Sequence, residues 1–361
     1  MKNNMNLRYF CYHFKSTWLR MAIIVFICII IAGVAAHDTY ADYDRWLNYR
    51  ENYPDHLIEL RLTLSLGVFA AMAIILNLLL PMIELSRFNN RRYLDSAFTY
   101  PISRTALFSV HLITGYLHFL AGFTTSYLVY SIMLLRFAKH FDYSYIIAFF
   151  FISLVWSAFY YIFNAFFFSM CNATADGVLT ALTWQYILCP AVAIVGDTLS
   201  ISRLPDFSLF FIIFVPYTDI CQYCTERGVL SGGRLDLLST LLRMLDETYI
   251  SVNSYLVWYL CIVAVIGAGL CALMIYTFNK KRAESAGEIS YSPISYKTLI
   301  PTIVFILLYF GFEDSLTLFG MLALVFATIA YVIYRRSVKL KPFDLAVLGI
   351  CFVLVIAGFL Q

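Results

Sequence analysis

Apolar runs of spanning length recur along this chain, at 19–36, 62–83, 107–135, 145–170, 178–196, 255–278, 299–312, 317–334 and 344–360. A bilayer's hydrocarbon layer is roughly 30 Å thick and needs about 20 apolar residues as a helix. Backbone groups in lipid must bond within their own segment, so runs of this kind fold as helices. The seventh run is short and opens at Pro301, so it reads either as a full span or as half of a hairpin with the eighth. That gives eight or nine spans. Composition agrees: 61% of the 361 residues are apolar and only 13% charged, whereas soluble domains run near half and a quarter. The fold class is an all-α polytopic membrane protein.

Orientation follows from the basic residues. With the N-terminus inside, the inner segments carry 16 of the 25 Lys and Arg residues, in groups around residues 2–20, 87–104, 280–297 and 335–341. The acids lean the other way, with 16 of 22 outside. The expected location is the cytoplasmic membrane. The first apolar run ends in small residues, Ala32 to Ala36, as a cleavable signal peptide does. The long, patterned basic segment before it fits a retained anchor better. Residues 1–18 read as an amphipathic surface helix, with Leu7, Phe10, Cys11, Phe14 and Trp18 on one face and Arg8, Tyr12, Lys15 and Ser16 on the other.

Between the fifth and sixth spans lies the longest non-spanning segment, 197–254. Its run from Phe207 to Val215, ended by Pro216, is too short to cross and reads as a re-entrant or interfacial element. Leu237, Leu238, Leu241, Leu242 and Leu245 then recur at helical spacing. Nine cysteines are present, most of them in or beside spans, where the thiol packs as a small apolar group. Cys221 and Cys224 form a CxxC that reads either as a disulfide or redox pair or as two packed thiols. No second pair completes a four-ligand zinc site.

The segment 84–106 stands out. Pro81 and Glu84 are expected to end the second span. Arg87 to Phe98 can form a short helix with Phe88, Leu94 and Phe98 available for burial, and Pro101 breaks it. Ser103 is positioned to cap the third span. On the residues alone, this is either a basic loop that sets topology or a docking element.

Arg91, Arg92, Pro101, Ile102, Ser103 and Arg104 resemble the pattern found after the second span of ABC-2-type transporter permeases. A second stretch after the sixth span contains Lys281, Arg282, Glu284 and Gly287, and is similar to the Gram-positive branch of that family. The N-terminal amphipathic helix and the long outer element are family-like too. The resemblance implies a six-span exporter core over 19–298, with a coupling helix near 88–100, an outer re-entrant region at 197–254 and two or three extra C-terminal spans in 299–361. It further implies a permease subunit that moves a hydrophobic or amphipathic cargo outward, a peptide antibiotic or a lipid, by alternating access. Its partners would be a cytoplasmic ABC ATPase dimer, a second permease of the same or a related chain, and membrane lipid. Arg91, Arg92, Tyr93, Leu94, Asp95, Phe98, Pro101, Ser103 and Arg104 would carry the coupling.

The chain is not expected to be an enzyme. It has no Gly-x-x-x-x-Gly-Lys-Ser/Thr loop to hold phosphates, so ATP and Mg2+ belong to the partner ATPase and no cofactor is expected here. Leu230 to Arg234 looks like the ABC ATPase signature, but it falls in the outer segment and reads as coincidence. Asn172-Ala173-Thr174 fits a glycosylation pattern, but on the inner side. Within the spans, His111 and His118 sit seven apart on one face. They either glue helices together or line a substrate path, and Asn77 and Asn164 carry the same two readings. The fourth span holds eleven aromatics between Phe149 and Phe168, most of them expected to touch lipid. The alternatives to an exporter are an ion-coupled carrier and a sensor or scaffold on the permease architecture. A carrier places polar groups at broken helices within inverted repeats, and the sequence shows no such repeat.

Overall fold

A computed structural model describes residues 2–52, 63–134, 143–184, 253–288, 296–313, 316–335 and 339–360. Those residues are helical, with no strand among them. In chain order the helices are α1 (Lys2–Ser16), α2 (Trp18–Asn52), α3 (Thr63–Leu85), α4 (Arg91–Phe98), α5 (Arg104–Leu134), α6 (Tyr143–Ser169), α7 (described over 174–184), α8 (Asn253–Lys280), α9 (Tyr296–Glu313), α10 (Leu316–Arg335) and α11 (Pro342–Leu360). Among the described residues, five stretches are long and apolar enough to cross a membrane: Trp18–Ala41, Gly67–Asn89, Arg104–Leu134, Phe149–Ser169 and Thr317–Tyr334. Three further apolar stretches among those residues are shorter, Ala264–Lys280, Tyr296–Tyr309 and Pro342–Ile356. The described part of the protein is therefore helical and membrane-embedded. The segment 197–254, with Cys221, Cys224 and Leu230 to Arg234, lies outside the described residues, as does Cys189.

The chain divides into two compact units. In the first, α5 is the central element, packed by α1, α2, α3 and α8. Aromatic rings fill its middle: Phe69 lies 4.9 Å from Tyr130 and 5.2 Å from Tyr127, and Phe119 stacks on Phe123 at 5.3 Å. Gly122 lets α2 approach closely, since a Cβ there would sit 3.1 Å from Cys28 Sγ. The outer side of α2 stays apolar and exposed at Ile23, Phe26, Ile27, Ile30 and Val34. A continuous apolar exterior of this kind is what a lipid-facing helix presents. In the second unit, α9, α10 and α11 pack around Ile300, Val304, Leu308, Ala323, Ala327, Tyr331 and Cys351.

Two sequence expectations are corrected. Pro81 does not end the second span: α3 runs through it and stops at Leu85, one residue past Glu84, and both Pro81 and Glu84 are buried. Proline within a membrane helix is tolerated because neighbouring groups can satisfy the carbonyl it frees. The aromatics of α6 do not mostly face lipid. Nine of the eleven, from Phe149 and Trp156 to Phe168, are buried, and only Phe151 is exposed. This helix sits inside the protein, where a ring gains more packing contact than it would against lipid tails.

Candidate functional site

Four elements of the first unit converge on one carboxylate. Glu84, near the end of α3, is fully buried. Arg20 of α2 reaches its Oε1 with a guanidinium nitrogen at 2.5 Å. His118 Nδ1 of α5 lies 3.4 Å from the same oxygen. On the other side, His13 Nε2 of α1 lies 3.5 Å and His111 Nδ1 of α5 3.6 Å from Glu84 Oε2. His13, His111 and His118 are all buried, and the His13 and His111 rings are 4.0 Å apart. Burying a lone carboxylate would cost several kcal/mol, so a cation and polar rings at this spot are what make it tolerable.

The surroundings fix the rings. Thr17 Oγ1 has one hydrogen, which it donates to the carbonyl of His13 or of Phe14, each at 3.1 Å. The same oxygen meets His118 Nε2 at 3.3 Å, a contact in which the ring's tautomer decides which atom donates. His118 Nδ1 is turned to the carboxylate, and only a ring that carries a hydrogen on Nδ1 is attracted to Oε1 there. Tyr9 Oη meets His111 Nε2 at 3.4 Å. Gly115 is required for the close approach: a Cβ there would overlap Tyr161 Oη and lie 2.9 Å from Glu84 Cγ. Tyr161 Oη instead donates to Leu112 O at 2.9 Å. Three buried atoms of the cluster, His13 Nε2, Glu84 Oε2 and His118 Nδ1, make no hydrogen bond.

His111 and His118 do share a face, as their spacing predicts, and that face meets Glu84. Asn77 and Asn164 are brought together elsewhere: both are fully buried, and Asn164 Nδ2 donates to the Asn77 carbonyl at 3.3 Å and to Tyr160 O at 3.0 Å. The sequence reading missed His13, Arg20 and Glu84. A usable signal was there. Tyr9, His13, Thr17 and Arg20 recur at spacings of four, four and three, a polar stripe distinct from both faces assigned to α1. The structure buries His13 and Thr17 of that stripe, half-buries Tyr9 and Arg20, and leaves Leu7 and Trp18 exposed, at 63% and 59%.

The 84–106 segment forms the expected short helix. Asn90 caps α4, its Oδ1 accepting from Arg92 N at 3.0 Å and Tyr93 N at 3.4 Å. Leu94 and Ala97 are buried, Tyr93 and Phe98 are half-buried, and Arg91, Arg92, Asp95 and Ser96 are exposed. The helix stops at Phe98, ahead of the exposed Pro101. Ser103 caps α5, as expected, accepting from Ala106 N at 3.2 Å. Arg104 lies over the Phe98 ring at 4.2 Å and donates to Asn279 O at 3.0 Å. Phe278 packs on Phe108 at 4.8 Å. The exit of α4 and the start of α5 therefore meet the end of α8 at Phe278 and Asn279.

In the second unit, Lys281 Nζ donates to Asn89 Oδ1 at 3.0 Å and to Cys171 O at 3.2 Å. Burial pushes the Lys281 ammonium down to about 8. Arg282 and Glu284 are exposed. Gly287 has φ +83°, a backbone state that glycine adopts without strain, and its N–H donates to Asn172 O at 2.8 Å. No family model matches this chain, and neither the curated proteins nor the solved structures yield a match.

Proposed function

We propose that this chain is the permease subunit of an ATP-driven exporter of the ABC-2 type. The observation that carries the reading is α4. It is a separate, capped helix between two span-length helices, anchored by Leu94 and Ala97, with Arg91, Arg92 and Asp95 presented outward. A loop that only set topology would need the charges and not the anchored helix. The contacts of Arg104 with Phe98 and Asn279 add to this, because they tie the helix's exit to the last turn of α8. On this reading Leu94 and Phe98 hold α4 to the permease. Arg91, Arg92, Asp95, Pro101 and Ser103 face a cytoplasmic ATPase dimer that binds ATP and Mg2+. Closure of the ATPases would push on α4 and switch the membrane portion between inward- and outward-open states. A second permease would complete the assembly, and the cargo class is hydrophobic or amphipathic, a peptide or a lipid.

The ion-coupled carrier has one point in its favour, the buried Glu84. That carboxylate is held by Arg20 near the end of a span rather than at its middle, which suits a structural tie better than a moving ion. Co-purification decides between the readings. The full chain, expressed with the ATPases of its own cell, should retain one of them, and Arg91→Glu/Arg92→Glu should lose it without loss of membrane insertion. Retention of the same ATPase by the double variant, or capture of none by the wild type, overturns the proposal.

A further inference from the structure

We infer that His13, Glu84 and His111 form a binding site for a single divalent transition cation of the zinc type, which ties α1 to α3 and α5. The inference is independent of the transport reading. His13 Nε2, Glu84 Oε2 and His111 Nδ1 each offer a ligand atom, and all three lie within 4.8 Å of one another. The two separations from Glu84 Oε2 are 3.5 and 3.6 Å. Ligands about 2.0–2.2 Å from a tetrahedral zinc lie about 3.3–3.6 Å from each other. The two separations from Glu84 Oε2 therefore match those of ligands around an ion, and the two histidine nitrogens lie within 4.8 Å of each other. It comes from three helices, so an ion would cross-link them.

The polar accounting points the same way. Glu84 Oε2 and His13 Nε2 are buried and face each other at 3.5 Å, beyond a well-formed hydrogen bond, an arrangement that needs a positive charge between them or on the ring. Arg20 is placed on the other oxygen, Oε1, which leaves Oε2 for the ion. Two imidazoles and one carboxylate select borderline divalent ions over Mg2+ or Ca2+, which prefer oxygen. Tyr9 at His111 Nε2 stands where a metal-bound imidazole places its second partner, the contact that fixes the ring and its tautomer. His118 Nδ1, 3.4 Å from Oε1, borders the site without belonging to the triad.

The rival account of the same geometry is protonation, with an imidazolium rather than a metal facing the carboxylate. The test separates the two. The purified full-length chain is stripped with a chelator and titrated with Co2+ and then Zn2+, with metal content measured after desalting. We expect about one metal per chain, a visible Co2+ absorption without a thiolate charge-transfer band, displacement by Zn2+, and an unfolding midpoint that Zn2+ raises. His13→Phe keeps a ring on the peripheral helix but removes the ligand. It should abolish the Co2+ spectrum while the protein still elutes as the wild type does. Tyr9→Phe should keep the spectrum and weaken affinity about tenfold. His118→Phe should keep both. A thiolate band would place the metal on the cysteines and overturn the assignment. So would full metal content in His13→Phe, no binding by the wild type, or a midpoint that responds to pH but not to Zn2+.

Discussion

Removing either partner of the Arg20–Glu84 pair should destabilise the protein more than removing both. Glu84 is fully buried and the Arg20 side chain is 24% exposed. Breaking a buried ion pair by deleting one partner costs about 3–5 kcal/mol, because the other charge is stranded out of water. Arg20 keeps some hydration, so Glu84→Leu belongs at the low end, about 3 kcal/mol. Arg20→Met strands a carboxylate with no exposed surface and belongs near the upper end, about 5 kcal/mol. Replacing both by apolar residues of similar size removes the stranded charge. The double variant should then cost less than either single, recovering on the order of 5 kcal/mol or more relative to the sum of the singles. The assay is equilibrium unfolding in mixed detergent micelles, followed by the fluorescence of the five tryptophans, with a chelator present so that no metal contributes. Additivity of the two single changes to within about 0.5 kcal/mol would refute the reasoning. So would a Glu84→Leu variant that costs more than Arg20→Met.

Three further outcomes follow from other contacts. Gly115→Ala should cost about 1–3 kcal/mol, because its Cβ displaces the Tyr161 hydroxyl and presses on Glu84, whereas Gly33→Ala, with nothing within 4 Å, should cost nothing measurable in the same unfolding assay. Lys281 is held at about 8 when folded, against 10.5 unfolded. At pH 7 it is charged in both states and its burial penalty is fully present. From pH 8 to 10.5 the unfolded chain binds more protons, so stability should rise across that window. Unfolding midpoints against pH check it, and Lys281→Gln should lack the rise. Finally, the purified chain alone should hydrolyse no ATP, since it carries no phosphate-binding loop, and turnover that survives rigorous removal of contaminating ATPases would contradict that.

Helix existence and membrane class were legible in the sequence, because the length of an apolar run and the need to satisfy backbone groups in lipid are local properties. The predicted runs 107–135 and 145–170 became Arg104–Leu134 and Tyr143–Ser169, and the short helix before Pro101 appeared at Arg91–Phe98 with Ser103 as a cap. The shared face of His111 and His118 was also local, a consequence of their seven-residue spacing on one helix. What that face meets was not. Glu84 lies 27 residues before His111, and His13 lies 98 residues before it. No periodicity within one helix reports a convergence that depends on how three helices pack. The aromatics of α6 show the same limit, since a ring that suits lipid and a ring that suits a core are the same residue. Tertiary packing alone buried nine of them, turned the polar stripe of α1 inward, and used the missing side chain of Gly115 to bring Glu84 and Tyr161 together.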